Sequence, residues 1–132
     1  MIFPLFFVIL YGIVTFSLIF VAQQNLTLAA EEGARAALNY QTAGTPQLAL
    51  AARAIAACKA ANNLVTSLIS SATCSSTGTT CSYDGTMDCV NVTLTYTYAS
   101  HPLVPTLPLM NVVLPAALVS NATVQINPEN IL

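Results

Sequence analysis

Charged side chains are scarce in this chain of 132 residues: they make up 6% of it, against about 25% in an average soluble domain. The only cations are Arg35, Arg53 and Lys59, and the formal net charge is -2. Without a basic patch the chain lacks the main source of binding energy for a phosphate backbone, so nucleic acid is excluded as a partner. Low charge suits a subunit that packs against its own copies, because like-charge repulsion between copies is small.

Residues that carry catalysis are equally scarce. The single histidine, His101, precedes a proline, and no nucleophile–base pair is evident. Asp84 and Asp88 flank a turn signal, but a calcium site needs about six or more oxygen ligands, so a solvated turn is the favoured interpretation. The cysteines are not spaced as the paired C-x-x-C knuckles of zinc sites are. We therefore expect no catalytic residue, no metal and no cofactor, and the chain is not predicted to be an enzyme.

A long apolar run opens the chain. Residues 1–22 contain no charged side chain, and as a helix they would cover about 33 Å, close to the ~30 Å hydrocarbon thickness of a bilayer. A cleaved signal peptide is the alternative, because residues 28–30 faintly resemble a cleavage site. The run is longer than the usual apolar region of about 7–15 residues, however, and it lacks a basic lead-in. A transmembrane helix is therefore predicted.

The helical pattern continues past the apolar run, through residues rich in alanine, leucine and glutamine. We expect one helix over about residues 1–39, roughly 60 Å long. Small side chains along this helix would let another helix approach closely, and we predict that it is an oligomerisation core. The candidate helix-packing residues are Gly12, Ala29, Ala30, Gly33, Ala36 and Ala37.

After a break at residues 41–46, the pattern predicts a second, amphipathic helix over 48–68, with Thr45 as N-cap and Pro46 at the first helical position. Its predicted apolar positions include Leu48, Ala52, Ile55, Leu64, Val65 and Leu68. Residues 70–80, rich in serine and threonine, are predicted to form a loop or a weak edge strand. The Asp84-Gly85 pair that follows is a hairpin signal.

The C-terminal half has strand patterns. Residues 89–98 alternate between apolar and polar side chains, as a half-buried antiparallel strand does. Residues 101–115 contain four prolines and are predicted to be an ordered loop. A last strand is expected over 118–126, with Val119, Ala122, Val124 and Ile126 as its apolar positions. The fold class is therefore α+β, with a long helix over 1–40 and a globular head over 41–132.

The four cysteines, Cys58, Cys74, Cys81 and Cys89, are predicted to form two disulfides, because an even number beside an apolar N-terminal segment indicates an oxidising compartment. Four cysteines allow three pairings, and the sequence alone does not choose among them. We favour Cys58 with Cys89, which would tie the second helix to the sheet, and Cys74 with Cys81, which would close a small loop.

The N-terminal stretch resembles the TadE-like family, the pseudopilins of bacterial tight-adherence pilus systems. The resemblance rests on an apolar run with an early proline (Pro4), a glycine at mid-span (Gly12), a Gln-x-Leu stretch and an alanine-rich exit that reads EGARAA over residues 32–37. The alternating strand, the Pro/Leu loop and the closing Ala-Thr-Val strand also fit. The family usually has an acidic residue at the position of Thr15 and a basic residue at that of Leu18; both are uncharged here.

This resemblance implies a structural subunit of an extracellular pilus-like filament. The subunit would be held in the bacterial inner membrane by its N-terminal helix before assembly and would pack by that helix into the filament core. Its implied partners are copies of itself or other pilin subunits, the pilus assembly machinery and a prepilin peptidase. The uncharged Thr15 and Leu18 favour a self-packing major subunit, since no charge in the membrane needs a partner. The alternative is a bitopic membrane protein whose extracytoplasmic head is a binding or adhesion module.

Overall fold

The computed structural model describes residues 1–66, 69–103, 105 and 112–131. Two helices precede a small antiparallel sheet, which confirms the predicted α+β class. The elements are α1 (Ile2–Ala37), α2 (Pro46–Val65), β1 (Thr73–Thr80), β2 (Asp88–Tyr96), β3 (Leu118–Ile126) and a 3-10 turn (Pro128–Asn130).

Helix α1 is a single helix of 36 residues, about 54 Å long, and it ends two residues before the predicted boundary. Its last turn tightens, because the Leu38 and Asn39 amides donate to the Arg35 and Ala36 carbonyls at 3.1 and 3.2 Å. The second half of α1, from Ile19 onwards, belongs to the hydrophobic core of the head. The predicted domain boundary at residue 40 lies just after the end of α1. The hydrophobic core of the head nevertheless includes residues of α1 from Ile19 onwards.

Helix α2 begins as predicted: the Thr45 hydroxyl accepts a hydrogen bond from the Leu48 amide at 3.3 Å, and Pro46 occupies the first turn. Its predicted apolar face is wrong at Leu48, Ile55 and Leu64, which are exposed, and right at Val65, which is buried. Leu68, also predicted on that face, lies outside the described residues. The buried face consists instead of Ala49, Arg53, Ala54, Ala57, Ala61 and Val65. Small side chains face inward because α2 lies close to α1, and the larger apolar side chains then remain outside.

The three strands form one antiparallel sheet in the order β1-β2-β3. Strand β2 is central, and its alternation is confirmed, since Val90, Val92 and Leu94 are completely buried. The weak edge strand predicted within residues 70–80 is β1. Its inward-facing Ser76 hydroxyl donates to the Ala54 carbonyl of α2 at 2.7 Å. The core is therefore a layer between the sheet and the two helices.

Strand β3 begins and ends where predicted, but one side chain that was predicted to be buried points outward. Leu118, Ser120 and Ile126 are buried, whereas Val119, predicted to be apolar and inward, is 51% exposed. Because β2 and β3 pair residue for residue, with Leu94 opposite Ser120, the facing of β3 follows that of β2. The buried Ser120 hydroxyl has a partner, since it donates to the Thr27 hydroxyl of α1 at 3.0 Å.

The predicted turn between β1 and β2 is confirmed at Asp84. The Asp84 carboxylate accepts hydrogen bonds from the Thr86 hydroxyl at 2.6 Å and the Thr86 amide at 2.9 Å. These bonds, the hydroxyl's first, hold the pKa of the Asp84 carboxyl below its ordinary value. The connection between β2 and β3 contains the predicted proline-rich loop, of which residues 104 and 106–111 lie outside the described part of the chain.

Candidate functional site

The first half of α1 presents a continuous apolar surface. All residues from 1 to 10 are exposed, with Phe3 at 72% and Val8 at 62%. Helix α1 is long and apolar enough to cross a membrane, and only 11% of its most apolar window is buried within the subunit. Helix α2 also meets the length and composition criterion, but 39% of it is buried and it forms part of the head core. The candidate site for lipid or partner helices is therefore the first half of α1.

The second half of α1 is covered within the subunit. Ala29, Ala30, Gly33 and Ala37, which the sequence suggested for contacts between copies, are buried against α2 and the sheet. A Cβ atom on Gly33 would lie 2.7 Å from the Ala57 carbonyl oxygen. The helix that these small residues admit is thus α2 of the same chain, and these four positions are not open to a neighbouring copy. The sequence predicted a close helix contact but could not identify the partner helix.

The two other candidate packing residues lie differently. Ala36 is partly buried at the end of α1. Gly12 is partly buried in the apolar half, and an added Cβ atom there would meet nothing within 4 Å. Gly12 therefore has room for a neighbouring helix, and its role in assembly stays a prediction.

The two positions at which the sequence departs from the resembled family also differ in environment. Thr15 is completely buried, and its hydroxyl donates to the Tyr11 carbonyl at 2.8 Å. Leu18 is 38% exposed. An ionised side chain at Thr15 would be buried without a partner among the described residues, which is costly. The uncharged residue at this position therefore suits the way the head packs against α1.

Arg53 is a buried cation, and the sequence alone indicated only its charge. It is 4% exposed on the inner face of α2. Its Nη1 atom donates to the Ala37 and Leu38 carbonyls at 3.2 and 3.1 Å, and its Nη2 atom donates to the Ile131 carbonyl at 3.3 Å. The guanidinium thus caps the C-terminus of α1, where the helix dipole favours a cation, and links it to the C-terminal segment.

The disulfide pairing that we favoured is wrong. Cys58 on α2 bonds to Cys74 on β1, and Cys81 bonds to Cys89 at the start of β2. Cys74 and Cys81 lie seven residues apart along and just beyond β1, about 23 Å in an extended strand, so they cannot bond. The antiparallel register places Thr79 opposite Cys89, which brings Cys81 beside Cys89. Cys74 meanwhile faces α2, and its Cα atom lies 5.7 Å from that of Cys58.

Replacing both Cys58 and Cys74 by alanine is expected to lower the free energy of unfolding by about 3 kcal/mol. The disulfide restricts the unfolded chain, and for a loop of this length the lost conformational entropy corresponds to about that free energy. The Cys81–Cys89 bond closes a shorter loop, with a sequence separation of 8 against 16, so its removal should cost less. Chemical denaturation of both double variants measures the difference. Peptide mapping without reduction is the control: a free thiol, or a peptide linking Cys74 to Cys81, would contradict the assignment.

The polar face of the head contains a groove beside the Cys81–Cys89 bond. The groove of about 300 Å³ near Tyr83 is lined mainly by hydroxyl side chains, together with the Cys81–Cys89 bond. Among the described residues, no group of three or more histidine, cysteine, aspartate or glutamate side chains could hold a metal ion. His101 is exposed.

The described residues thus combine a half-exposed apolar helix, long enough to cross a membrane, with a disulfide-bonded α+β head. The family model "TadE-like protein" matches residues 1–35, which is most of α1. This match confirms the resemblance of the N-terminal helix to that family. No curated protein and no solved structure matches the chain significantly.

Proposed function

We propose that this chain is a structural subunit of an extracellular pilus-like filament. Its apolar helix is held in the bacterial inner membrane before assembly and packs into the filament core afterwards. The observation that carries the proposal is that every residue from 1 to 10 is exposed, in a helix whose second half is built into the head. The TadE-like match over the same helix supports it.

The energetic argument is one of area. The side chains of residues 1–10, with the exposed faces of Ile13, Phe16 and Phe20, leave on the order of 1,000 Å² of apolar surface open, and at ~25 cal/mol per Å² its exposure to water costs about 25 kcal/mol. That exceeds the ~5–15 kcal/mol by which a typical domain is stable. The described part of the head does not cover this surface, so lipid or helices of other subunits must do so.

The test compares the full chain with residues 15–132, a truncation that keeps every buried residue of α1, both produced without detergent. The truncated head is expected to be soluble and monomeric, whereas the full chain should sediment or form filaments. Sedimentation and electron microscopy measure the two states. A soluble, monomeric full-length chain would show that the apolar half needs no partner and would refute the proposal.

Two matched substitutions distinguish an effect on the apolar helix from an effect on the head. Val8→Asp places a charge on the exposed apolar half, whereas Ile55→Asp places one at a comparably exposed position of α2, 69% against 62%. Val8→Asp should abolish both membrane retention and polymer, while Ile55→Asp should keep membrane retention. Material that stays in the membrane fraction and gives no filaments with the assembly machinery present would instead favour the bitopic protein with a binding head.

A further inference from the structure

The groove beside the Cys81–Cys89 bond has a floor made of the outward face of the sheet. The antiparallel register places Thr77, Asn91 and Thr123 side by side on β1, β2 and β3. All three are exposed, and all three line the groove. Neighbouring strands lie about 4.8 Å apart, so these side chains form a row about 10 Å long. The floor is therefore a short row of two hydroxyl groups and one carboxamide.

Tyr83 forms a wall of the same groove. Its hydroxyl lies 3.5 Å from the Cys89 Sγ atom, while the residue as a whole remains 71% exposed. The segment that carries it is closed by the Cys81–Cys89 bond and by the Cys81 amide, which donates to the Met87 carbonyl at 2.9 Å. An aromatic ring is thus held beside the row of polar groups and is open to solvent.

No residue that lines the groove carries a formal charge. The three cations of the chain, Arg35, Arg53 and Lys59, all lie on the helices. The carboxylates nearest in sequence are Asp84 and Asp88, so a phosphate or carboxylate ligand would find no counter-charge here. A purely apolar ligand would take the hydroxyl and carboxamide groups out of water without replacing their hydrogen bonds, which is costly. A neutral ligand rich in hydroxyl groups meets neither obstacle.

We propose that this groove binds a neutral glycan. The C–H face of one sugar ring stacks on Tyr83, and the sugar hydroxyls bond to the row of Thr77, Asn91 and Thr123. Threonine hydroxyls and a carboxamide both donate and accept hydrogen bonds, as the hydroxyls of a sugar do. The volume of about 300 Å³ is at the small end of the range for ligand sites, which suits a short stretch of a sugar chain.

The site is also organised before a ligand arrives. Threonine side chains are stiff at χ1 because they branch at Cβ, and the sheet and the Cys81–Cys89 bond hold the floor and the wall. Little conformational freedom is therefore lost on binding. A single groove of this size would still bind weakly. Heads repeated along a filament would engage one glycan surface at many points and raise the apparent affinity.

This inference goes beyond the proposed filament, because the groove belongs to one head alone. The test uses the full chain in micelles of dodecylphosphocholine, a detergent without a sugar headgroup. The probes are cellohexaose, chitohexaose and mannohexaose, and a heparin hexasaccharide is the anionic control. Saturation-transfer nuclear magnetic resonance, which detects weak binding, is expected to show transfer to at least one neutral probe and none to heparin. Transfer to no neutral probe, or stronger transfer to heparin, would overturn the proposal and leave the filament untouched.

Four variants locate the binding. Tyr83→Ala is expected to weaken binding about tenfold, because the stacked ring is lost. Thr123→Val keeps the shape of the side chain, removes one hydroxyl and should weaken binding about fivefold. Tyr83→Phe keeps the ring and should bind like the unaltered chain. Tyr40→Ala is the matched control, since Tyr40 is 63% exposed and does not line the groove, and it should also bind like the unaltered chain.

Equal binding by Tyr83→Ala and Tyr40→Ala would place the glycan elsewhere and overturn the proposal. Near-ultraviolet circular dichroism of the buried Tyr96 and Tyr98 checks that each variant keeps its fold. If Tyr83→Ala does not fold, Thr123→Val decides the question, because unchanged binding by that variant would contradict the groove as the site.

Discussion

Replacing Arg53 by alanine is expected to lower the free energy of unfolding by about 3 kcal/mol, because two buried backbone carbonyls and one partly buried carbonyl lose their donors. The carbonyls of Ala37 and Leu38 end α1 and that of Ile131 lies in the C-terminal segment. Each buried acceptor left without a partner costs about 1–3 kcal/mol, and the cation also complements the negative end of the helix dipole. The loss should free both the end of α1 and the C-terminus.

The matched control is Arg35→Ala. Arg35 lies in the last turn of the same helix, but its side chain is 75% exposed and its pairing with Glu32 is loose, at 3.7 Å. An exposed pair of this kind contributes little, so this variant should unfold close to the unaltered chain. Arg53→Lys should fall between the two, because an ammonium group cannot span three carbonyls as the planar guanidinium does. Denaturation in detergent micelles measures all three, and equal stability of Arg53→Ala and Arg35→Ala would contradict the capping role.

Replacing Gly33 by alanine is expected to destabilise the head by about 2 kcal/mol, although alanine is the better helix former by about 1 kcal/mol. The added methyl group would meet the Ala57 carbonyl oxygen at 2.7 Å, the Ala61 Cβ atom at 3.1 Å and a Val92 methyl group at 3.3 Å. The nearest of these atoms is helix backbone, which cannot rotate away, so α2 must shift from α1 and loosen the core.

Gly12→Ala is the matched control, since it adds the same methyl group to the same helix where nothing lies within 4 Å. It should leave the melting temperature unchanged or raise it, whereas Gly33→Ala should lower it by about 10 °C for a domain of this size. Near-ultraviolet circular dichroism of the buried Tyr96 and Tyr98 follows the packing of the head. A Gly33→Ala variant as stable as Gly12→Ala would show that α1 and α2 do not approach as closely as described.

These two contacts explain why the two halves of α1 differ in burial. Gly33 and Arg53 fasten its second half to α2 and to the C-terminal segment, so the head is rigid on the helix. Residues 2–10 of α1, by contrast, are all exposed and apolar. One end of such a helix is part of the core and the other end is uncovered. The uncovered end could exchange lipid for neighbouring helices, and the fold of the head would not have to change.

Much of the architecture followed from local pattern. The absence of charge over residues 1–22 indicated the anchor, Thr45 and Pro46 indicated the start of α2, and the alternation in β2 indicated the inward positions of the central strand. Each of these signals depends on neighbours in sequence, such as a cap that bonds three residues on or a side-chain period of two. Such signals can be recognised in the sequence without knowledge of which distant segments pack against the element.

The misassigned residues are those whose environment depends on distant segments. Leu48, Ile55 and Leu64 are large and apolar, yet they lie outside because the alanines of α2 allow a closer approach to α1 than they would. Val119 faces outward because β2 determines the facing of β3. The cysteines pair as they do because β1 is an extended strand, which separates Cys74 from Cys81 and brings each beside a different partner.

By itself the sequence determined that this chain carries a long apolar helix, a second capped helix and a small disulfide-bonded sheet with few charges, because composition and periodicity are local properties of the chain. Only the tertiary structure decided which half of α1 is core, that its small residues admit α2 of the same subunit, and that Arg53 caps α1 from another helix. Those features depend on which surfaces meet across large separations in sequence, and side-chain size and polarity along one segment do not specify the partner that packs against it.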